Sequence, residues 1–467
     1  MRVSIHPWGD PRNWRFVEYC SEELCVKGFS PLSLIASSPS ARPDLVIIFV
    51  LDTLYDKNCD PGLKYDSMVD AVRREAFKYL CFKDSLDVRI EVLPGIMKKR
   101  ARGIEAEFRA APDDARLEAL YYTYKHVTEK LKQAGDSRRL EILLDTTHGV
   151  NYFTILVREA VFEAASMLAA HGREVAIKVL NTDPFSSSEL PRRSAEDPCR
   201  PEPEGPVMRV EHNLLQRAEI PPWEITKYLR YSKNSVKKLL TDTRSCCIVE
   251  KDFEELKQSL LRIVALYRVG ALVELLSIPG GWLRRADVFL DLADRALECW
   301  RRKARVEFSD GVCRTSFSKL QDGFRLLMHA HAIMLGAGRV SVREHPPVTL
   351  EEVKRARREL FRGSEVISVL VDKEIGELER LRKRGDIPCY WTVYARVRGE
   401  EEEPLCTGTP GSQDIDRIKR NFTAHAGFLK ELLEVRAQSD VELRVRPECW
   451  SIIEKVVDKI GEDLMKA

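Results

Sequence analysis

The 467-residue chain contains no Cys-x-x-Cys, no Gly-x-x-x-x-Gly-Lys and no Gly-x-Gly-x-x-Gly. The first absence disfavours a structural zinc site among its 12 cysteines, none of which lies near a histidine pair at zinc spacing. The other two disfavour ATP hydrolysis and nicotinamide chemistry, since those glycine-rich loops are what cradle the phosphates in such proteins. Long hydrophobic runs are also missing. The longest, Leu45 to Leu51, is far short of the roughly 20 residues of a membrane helix, so no membrane partner is expected. The N-terminus enters a strand-like pattern without the apolar stretch of a secretory signal, which makes the cytoplasm the expected location. Buried free thiols are then the expected state of the cysteines, with Cys20 and Cys25, and the neighbours Cys246 and Cys247, as the pairs placed to oxidise. Neither sign of charge dominates: 75 Lys and Arg stand against 73 Asp and Glu, for a net charge of +2. That balance excludes a protein that coats nucleic acid by bulk electrostatics and leaves room for a local basic groove. No carboxylate cluster suits two-metal nuclease chemistry, and Glu400 to Glu403 reads as a solvated loop, so no metal or cofactor is expected.

What is present suffices for two or three hydrophobic cores, with 44% hydrophobic residues. Over residues 1–212 strand-like and helix-like segments alternate, the pattern of a Rossmann-like parallel sheet flanked by helices. The strands are Arg2 to Ile5, Leu45 to Leu51, Val88 to Leu93, Leu140 to Leu144 and Val175 to Leu180, with Val207 to His212 as one more. Helices run Met68 to Leu80, Arg116 to Ala134 and Val150 to Ala170. Residues 185–206, rich in Ser, Pro, Arg and Glu, read as a mobile loop. Residues 213–250 read as a helical connector. Within it, Glu224 to Leu229 and Ser235 to Leu240 loosely resemble a helix-turn-helix whose Lys233, Lys237 and Lys238 could touch a phosphate backbone, but a plain connector is the preferred reading. Residues 251–467 read as a helical bundle. Its helices are Ala286 to Ala304, Ser316 to Leu335, Glu365 to Arg384, Asp414 to Ala437 and Cys449 to Met465, and a capping-box pattern begins at Thr349. The expected fold class is α/β plus all-α.

Three stretches carry chemistry. Asp145-Thr146-Thr147-His148-Gly149-Val150-Asn151 lies where a buried strand gives way to a helix, at the edge of an α/β sheet where ligands collect. Thr147, His148 and Asn151 offer directional hydrogen-bonding groups and Gly149 permits close backbone approach. The bland reading is a capped strand-to-helix turn. Trp8-Gly9-Asp10-Pro11-Arg12-Asn13-Trp14 follows the first strand and opens onto the same edge, with indole faces for nucleobases and Asp or Asn for their edges. Alternatively, Trp8 and Trp14 only cover the sheet. In Arg420-Asn421-Phe422-Thr423-Ala424-His425, Asn421 and His425 are four apart on one helical face and Arg420 is offset to clamp a phosphate, with Phe428, Leu429, Leu432 and Leu433 turned inward. His329 and His331, two apart on a helix, face different ways and do not chelate.

Taken together, Trp8-Gly9-Asp10, Leu144 to Asn151 and Arg420-x4-His425, in this order, resemble the CRISPR-associated CARF-HEPN ribonucleases of type III systems. The resemblance implies an N-terminal CARF sensor that binds cyclic oligoadenylate across the two-fold axis of a homodimer, with larger oligomers left open. Trp8, Gly9, Asp10, Asn13, Trp14, Thr146, Thr147, His148, Gly149 and Asn151 would hold that activator, cyclic tetra-adenylate being the size favoured. It also implies a C-terminal HEPN domain in which Arg420, Asn421 and His425 from two protomers cut single-stranded RNA without a metal. The residue types fit, because RNA supplies its own 2′-hydroxyl nucleophile and needs only proton handling and charge neutralisation. Two alternatives remain at this level: a transcription regulator that binds DNA through Trp223 to Leu240, and a phosphodiesterase that degrades the cyclic activator with Thr147 or His148.

Overall fold

Leu45 to Leu51 carry no polar side chain, and all seven residues are buried between two neighbouring strands. A strand covered on both faces is what a continuous β-branched and aromatic run produces. In the computed structural model the described residues are all but 56–61, 83–85, 102–103, 136–137, 150, 186–188, 204, 206, 233–250, 279–285, 310–311, 322, 341–346, 402–404, 407–411 and 466–467. They form two compact units: residues 1–165, 174–220 and 297–320, and residues 166–173, 221–296 and 321–467.

In the first unit the strands are β1 (Arg2–Pro7), β2 (Val17–Cys20), β3 (Cys25–Gly28), β4 (Leu45–Leu51), β5 (Val88–Leu93), β6 (Met97–Ala101), β7 (Ile104–Arg109), β8 (Arg139–Asp145), β9 (Glu174–Thr182), β10 (Arg192–Arg193), β11 (Pro201–Glu202), β12 (Arg209–Ile220), β13 (Arg305–Ser309) and β14 (Val312–Ser316). Eight of them make one sheet in the order β3-β2-β12-β9-β8-β1-β4-β5. From β9 to β5 its neighbours are parallel, and β12 runs antiparallel to β9. The helices Tyr65–Lys78, Pro112–Gln133 and Asn151–Ala170 alternate with these strands as the sequence pattern predicts. From β1 the order continues to β4 on one side, while β8 lies on the other, so the loops after β1 and β8 diverge at the sheet's switch point.

Several expectations need correction. β12 continues to Ile220 and a 3-10 helix follows at Pro222–Lys227, so the first residues of the expected helical connector are strand. Ser235 to Leu240 and Lys233, Lys237 and Lys238 lie outside the described residues, as do Cys246 and Cys247. The expected mobile loop is structured in its described part. There β10 pairs with β11, and the Arg193 guanidinium stacks 4.1 Å from the Phe29 ring and 5.0 Å from Tyr79. Its cysteine contributes as well, since Cys199 is bonded to Cys81, and Cys406 is bonded to Cys449, where free thiols were expected; Cys20 bonds to Cys25 across β2 and β3, the pair named as placed to oxidise. Lastly, Arg305–Ser309 and Val312–Ser316 are strands. They join β6 and β7 in a four-stranded sheet, a pairing across some 200 residues that local pattern does not reveal.

The second unit is mainly helical, as expected. Ser364 caps the N-terminus of the helix Glu365–Arg384, and Gly385 closes it in the left-handed conformation, φ 78°. Thr349 and Glu352 make the capping box of the helix Leu350–Leu360. Tyr267, on the helix Lys251–Val269, donates its buried hydroxyl to the carbonyls of Pro222 and Leu360 at 3.1 and 2.8 Å. The unit also contains an antiparallel sheet that the helical reading missed: β15 (Val348–Thr349), β16 (Thr392–Val393), β17 (Leu433–Ala437) and β18 (Val441–Val445).

Within the first unit a buried ion pair anchors the packing. Arg301 donates to both oxygens of Glu118, at 3.0 and 2.5 Å, and to the Val92 carbonyl at 2.9 Å. Removing one member leaves the other charge buried and unanswered, so Arg301→Met is expected to cost about 3–5 kcal/mol in urea denaturation. The double replacement Arg301→Met with Glu118→Leu should recover most of that loss. A single variant as stable as the parent would show that the pair carries no such role.

Candidate functional site

The two N-terminal loops meet around Asp145, the last residue of β8. This carboxylate is buried, accepts from His6 Nδ1 at 3.1 Å and from Thr147 Oγ1 at 2.6 Å, and lies 3.5 Å from His212 Nε2. Burial works to raise its pKa, but the neighbouring imidazoles of His212 and His6 outweigh that and hold the carboxyl well below its usual range. His6 is tied in turn to Ser4 Oγ at 2.7 Å. Neither His6 nor His212 stood out in the sequence, although both sit on strands beside the chemistry-bearing loop.

The loops are also joined directly. Gly9 N–H donates to the His148 carbonyl at 2.7 Å, and the His148 ring stacks on Trp14 at 4.1 Å with its Nε2 3.1 Å from the Tyr19 hydroxyl. Burial drives the His148 pKa down to about 4, so its imidazole is neutral near pH 7 and offers a ligand shape and hydrogen bonding, without a charge. Trp8 and Trp14 meet edge to face at 4.9 Å and both are buried. They therefore take the covering role that was the alternative at sequence level. Asp10 is engaged by Arg12 at 2.8 and 2.9 Å, and Asn13 is exposed.

Thr146 Oγ1 donates to the Leu180 carbonyl and Thr147 Oγ1 accepts from Thr182 N–H, so both threonine hydroxyls are committed to the fold. A Cβ on Gly149 would come within 1.8 Å of Thr154 Oγ1, which explains why glycine stands there. Asn151 is exposed and begins the following helix. Of the ten expected ligand residues, Asn13 and Asn151 thus point to solvent most fully, while the two indoles form the support beneath.

In the second unit the helix expected over Asp414 to Ala437 spans Ser412–Ala424. Ile415, Ile418 and Phe422 are buried on its inner face, and Arg420 and Asn421 lie on the exposed one. Lys459 pairs with Asp416 at 2.6 Å and Lys419 with Asp463, fastening it to the helix Trp450–Leu464. His425 is its C-cap residue, and its N–H still donates to the Asn421 carbonyl at 3.0 Å. Ala426 then turns left-handed, φ 48°, and donates to Thr423, while Gly427 donates to Phe422, the paired bonds of a Schellman stop. Phe428 and Leu429 lie beyond that stop and Leu433 begins β17, so their helix-like spacing was misleading.

Arg420, Asn421 and His425 consequently lie within the last turns of one helix and its C-cap, the first two exposed. The His425 side chain is 45% exposed, and its Nδ1 lies 3.5 Å from Oε1 of Glu374, a buried residue of the helix Glu365–Arg384. Glu374 Oε2 accepts from the Tyr394 hydroxyl at 3.3 Å and faces Arg398 Nη1 at 3.5 Å. Burial, and then Glu374, raises the Tyr394 pKa above its ordinary value. Sequence reasoning missed Glu374, because 51 residues separate it from His425 and no local pattern marks it.

Comparison with known proteins follows the same division. Residues 3–184 match the CARF domain of the CRISPR system endoribonuclease Csx1, and residues 364–447 match the HEPN domain of that endoribonuclease, together more than half of the chain. The CRISPR system endoribonuclease Csx1 of Methanocaldococcus jannaschii is 23% identical over 453 residues, covering 93% of this chain and 86% of the relative. A solved structure of Enterococcus italicus Csm6 bound to cyclic hexa-2'-fluoro-hexa-dAMP covers 99% of both chains at 11% identity, but with a TM-score of 0.25 it carries no weight. Among the described residues no helix is long and apolar enough to cross a membrane.

Behind the catalytic-candidate turn sits Glu274, fully buried against Gly427, with neither carboxyl oxygen hydrogen-bonded among the described residues. Burial pushes its pKa up to about 8, so the folded protein keeps it protonated at neutral pH. Its folded pKa lies above the unfolded one, and its contribution to stability is therefore complete below about pH 4.5 and lost as pH rises toward 8. Glu274→Gln is expected to remove that part of the pH dependence. Denaturation of parent and variant at pH 5 and pH 8 tests this, and an unchanged stability difference between them would refute it.

Proposed function

This chain belongs to the CRISPR-associated CARF-HEPN endoribonucleases, and on that premise we propose that Arg420, Asn421 and His425 are its RNA-cleaving residues. One observation carries the reading: these three side chains share an exposed helix end at which the imidazole is backed by a buried carboxylate. A base removes the 2′-hydroxyl proton of single-stranded RNA and the 2′-oxygen attacks phosphorus. The bond to the 5′-oxygen breaks as that oxygen takes up a proton, leaving a 2′,3′-cyclic phosphate and a 5′-hydroxyl. His425 handles protons, Arg420 neutralises the phosphate and Asn421 orients the substrate or the imidazole. Separate base and acid are supplied most simply by two copies of the helix end, which is the role assigned to a homodimer. These steps need no metal.

The activator assigned to the N-terminal unit is a cyclic oligoadenylate, cyclic tetra-adenylate favoured, held by the Trp8–Trp14 and Thr146–Asn151 loops. In support, the loops flank the β1/β8 switch point. Exposed Asn13 and Asn151 would contact the ligand, while Trp8, Trp14, Thr146 and Thr147 hold the loops and Gly9, Asp10 and His148 shape the floor.

Labelled single-stranded RNA, incubated with the protein in EDTA with and without each cyclic oligoadenylate, tests the whole reading. Cleavage is expected only with the activator and is unaffected by EDTA. His425→Ala should lower it by about 100- to 10,000-fold while activator affinity is kept. Loss of cleavage in EDTA overturns metal independence, and full activity in His425→Ala overturns the assignment of the site.

A further inference from the structure

We infer that Glu374 is the positioning carboxylate of the cleavage centre, holding His425 by its Nδ1 edge so that Nε2 faces the RNA. This inference rests on His425 being the proton-handling group. Three separate elements converge to make the contact. Glu374 comes from the middle of the helix Glu365–Arg384, Tyr394 and Arg398 from the short helix Tyr394–Val397 and the residue after it, and His425 from the C-cap of the helix Ser412–Ala424. The two carboxylate oxygens are divided between partners. Oε2 takes the Tyr394 hydroxyl and faces Arg398, whereas Oε1 is left for His425.

That division matters because a buried carboxylate needs answering charges or donors, and here it has them without His425. Glu374 is 2% exposed, yet it keeps one oxygen turned to a side chain that is nearly half in solvent. A purely structural carboxylate would gain more from a fully buried donor. An imidazole bonded through Nδ1–H is fixed in tautomer and ring orientation, which places the Nε2 lone pair or proton on the opposite, open side. At 3.5 Å the contact is long for a hydrogen bond, as expected of a catalytic contact that shortens when substrate closes on the imidazole. Other charges lie close by: Arg398, itself paired to Glu400 at 2.9 Å, and Glu377 near Tyr394. Among them Glu374 is the carboxylate within reach of the ring.

The test measures activator-stimulated cleavage of labelled single-stranded RNA with saturating cyclic tetra-adenylate. Parent, Glu374→Gln, Glu374→Asp and His425→Ala are compared. Gln keeps the shape but replaces the carboxylate that accepts from the ring with an amide. Glu374→Gln is expected to lower kcat by about 10- to 100-fold and to leave KM within about threefold. Glu374→Asp, which keeps the carboxylate, should recover most of the lost kcat. A Glu374→Gln variant with the parental kcat overturns the inference, and so does an equal loss in Glu374→Gln and Glu374→Asp, since that is what a structural role gives. An active His425→Ala instead overturns the underlying site assignment, so the two failures are distinguishable.

Discussion

A carboxylate taken out of water must find donors, find a cation or keep its proton, and the sites of this protein are organised around how each one does so. Asp145 finds donors: His6, Thr147 and the nearby His212 hold it ionised at the end of β8. Glu118 finds a cation in Arg301. Asp52, after β4, accepts from Gly95 N–H at 2.8 Å and from Tyr65 at 3.3 Å, yet burial still raises its pKa to about 8. Glu274 finds neither and keeps its proton. Glu374 divides its oxygens between the buried Tyr394 with the partly exposed Arg398 and a half-exposed histidine.

These differences decide which groups can act. A residue such as Thr147, whose hydroxyl both donates to Asp145 and accepts from Thr182, is held in place on two sides. It can shape a pocket but would have to give up a buried bond before attacking a ligand. The same holds for Trp8 and Trp14, whose burial places them under the loops. By contrast Arg420 and Asn421 are exposed on the outer face of their helix. Side chains placed at a helix end by an apolar inner face and turned to solvent are what a substrate can use.

Much of the first unit was legible in the sequence because its strands are continuous apolar runs: Leu45–Leu51 and Val88–Leu93 read out at their observed boundaries. The helix Glu365–Arg384 did too, since Ser364 and Gly385 mark its ends. The long-range sheet of β6, β7, β13 and β14 did not, because short exposed strands such as Arg305–Ser309 carry no buried face by which to recognise them. The helix overrun past His425 has a local cause. Phe428, Leu429, Leu432 and Leu433 repeat at helical spacing, while the stop is set by Ala426, a residue whose identity gives no sign that it turns left-handed. The alternation of Leu433-Glu434-Val435-Arg436 and Val441-Glu442-Leu443-Arg444 was the signal that a hairpin follows.

That stop is also the reason the histidine is available at all. Had the helix continued, the chain after His425 would have carried the next turn over its C-terminal side, and Gly427 would not lie against Ala271 and Glu274. An alanine at the left-handed position costs of order 1 kcal/mol relative to glycine, and the close approach of Gly427, where a Cβ would come within 2.5 Å of Glu274, leaves that neighbour no alternative residue. Backbone strain at Ala426 lies inside the tight turn that ends the helix at His425, and the carboxyl of Glu274, on the helix Leu272–Leu276, packs behind that turn against Gly427. The stop itself seats the C-cap imidazole at the protein surface with its inner edge toward Glu374.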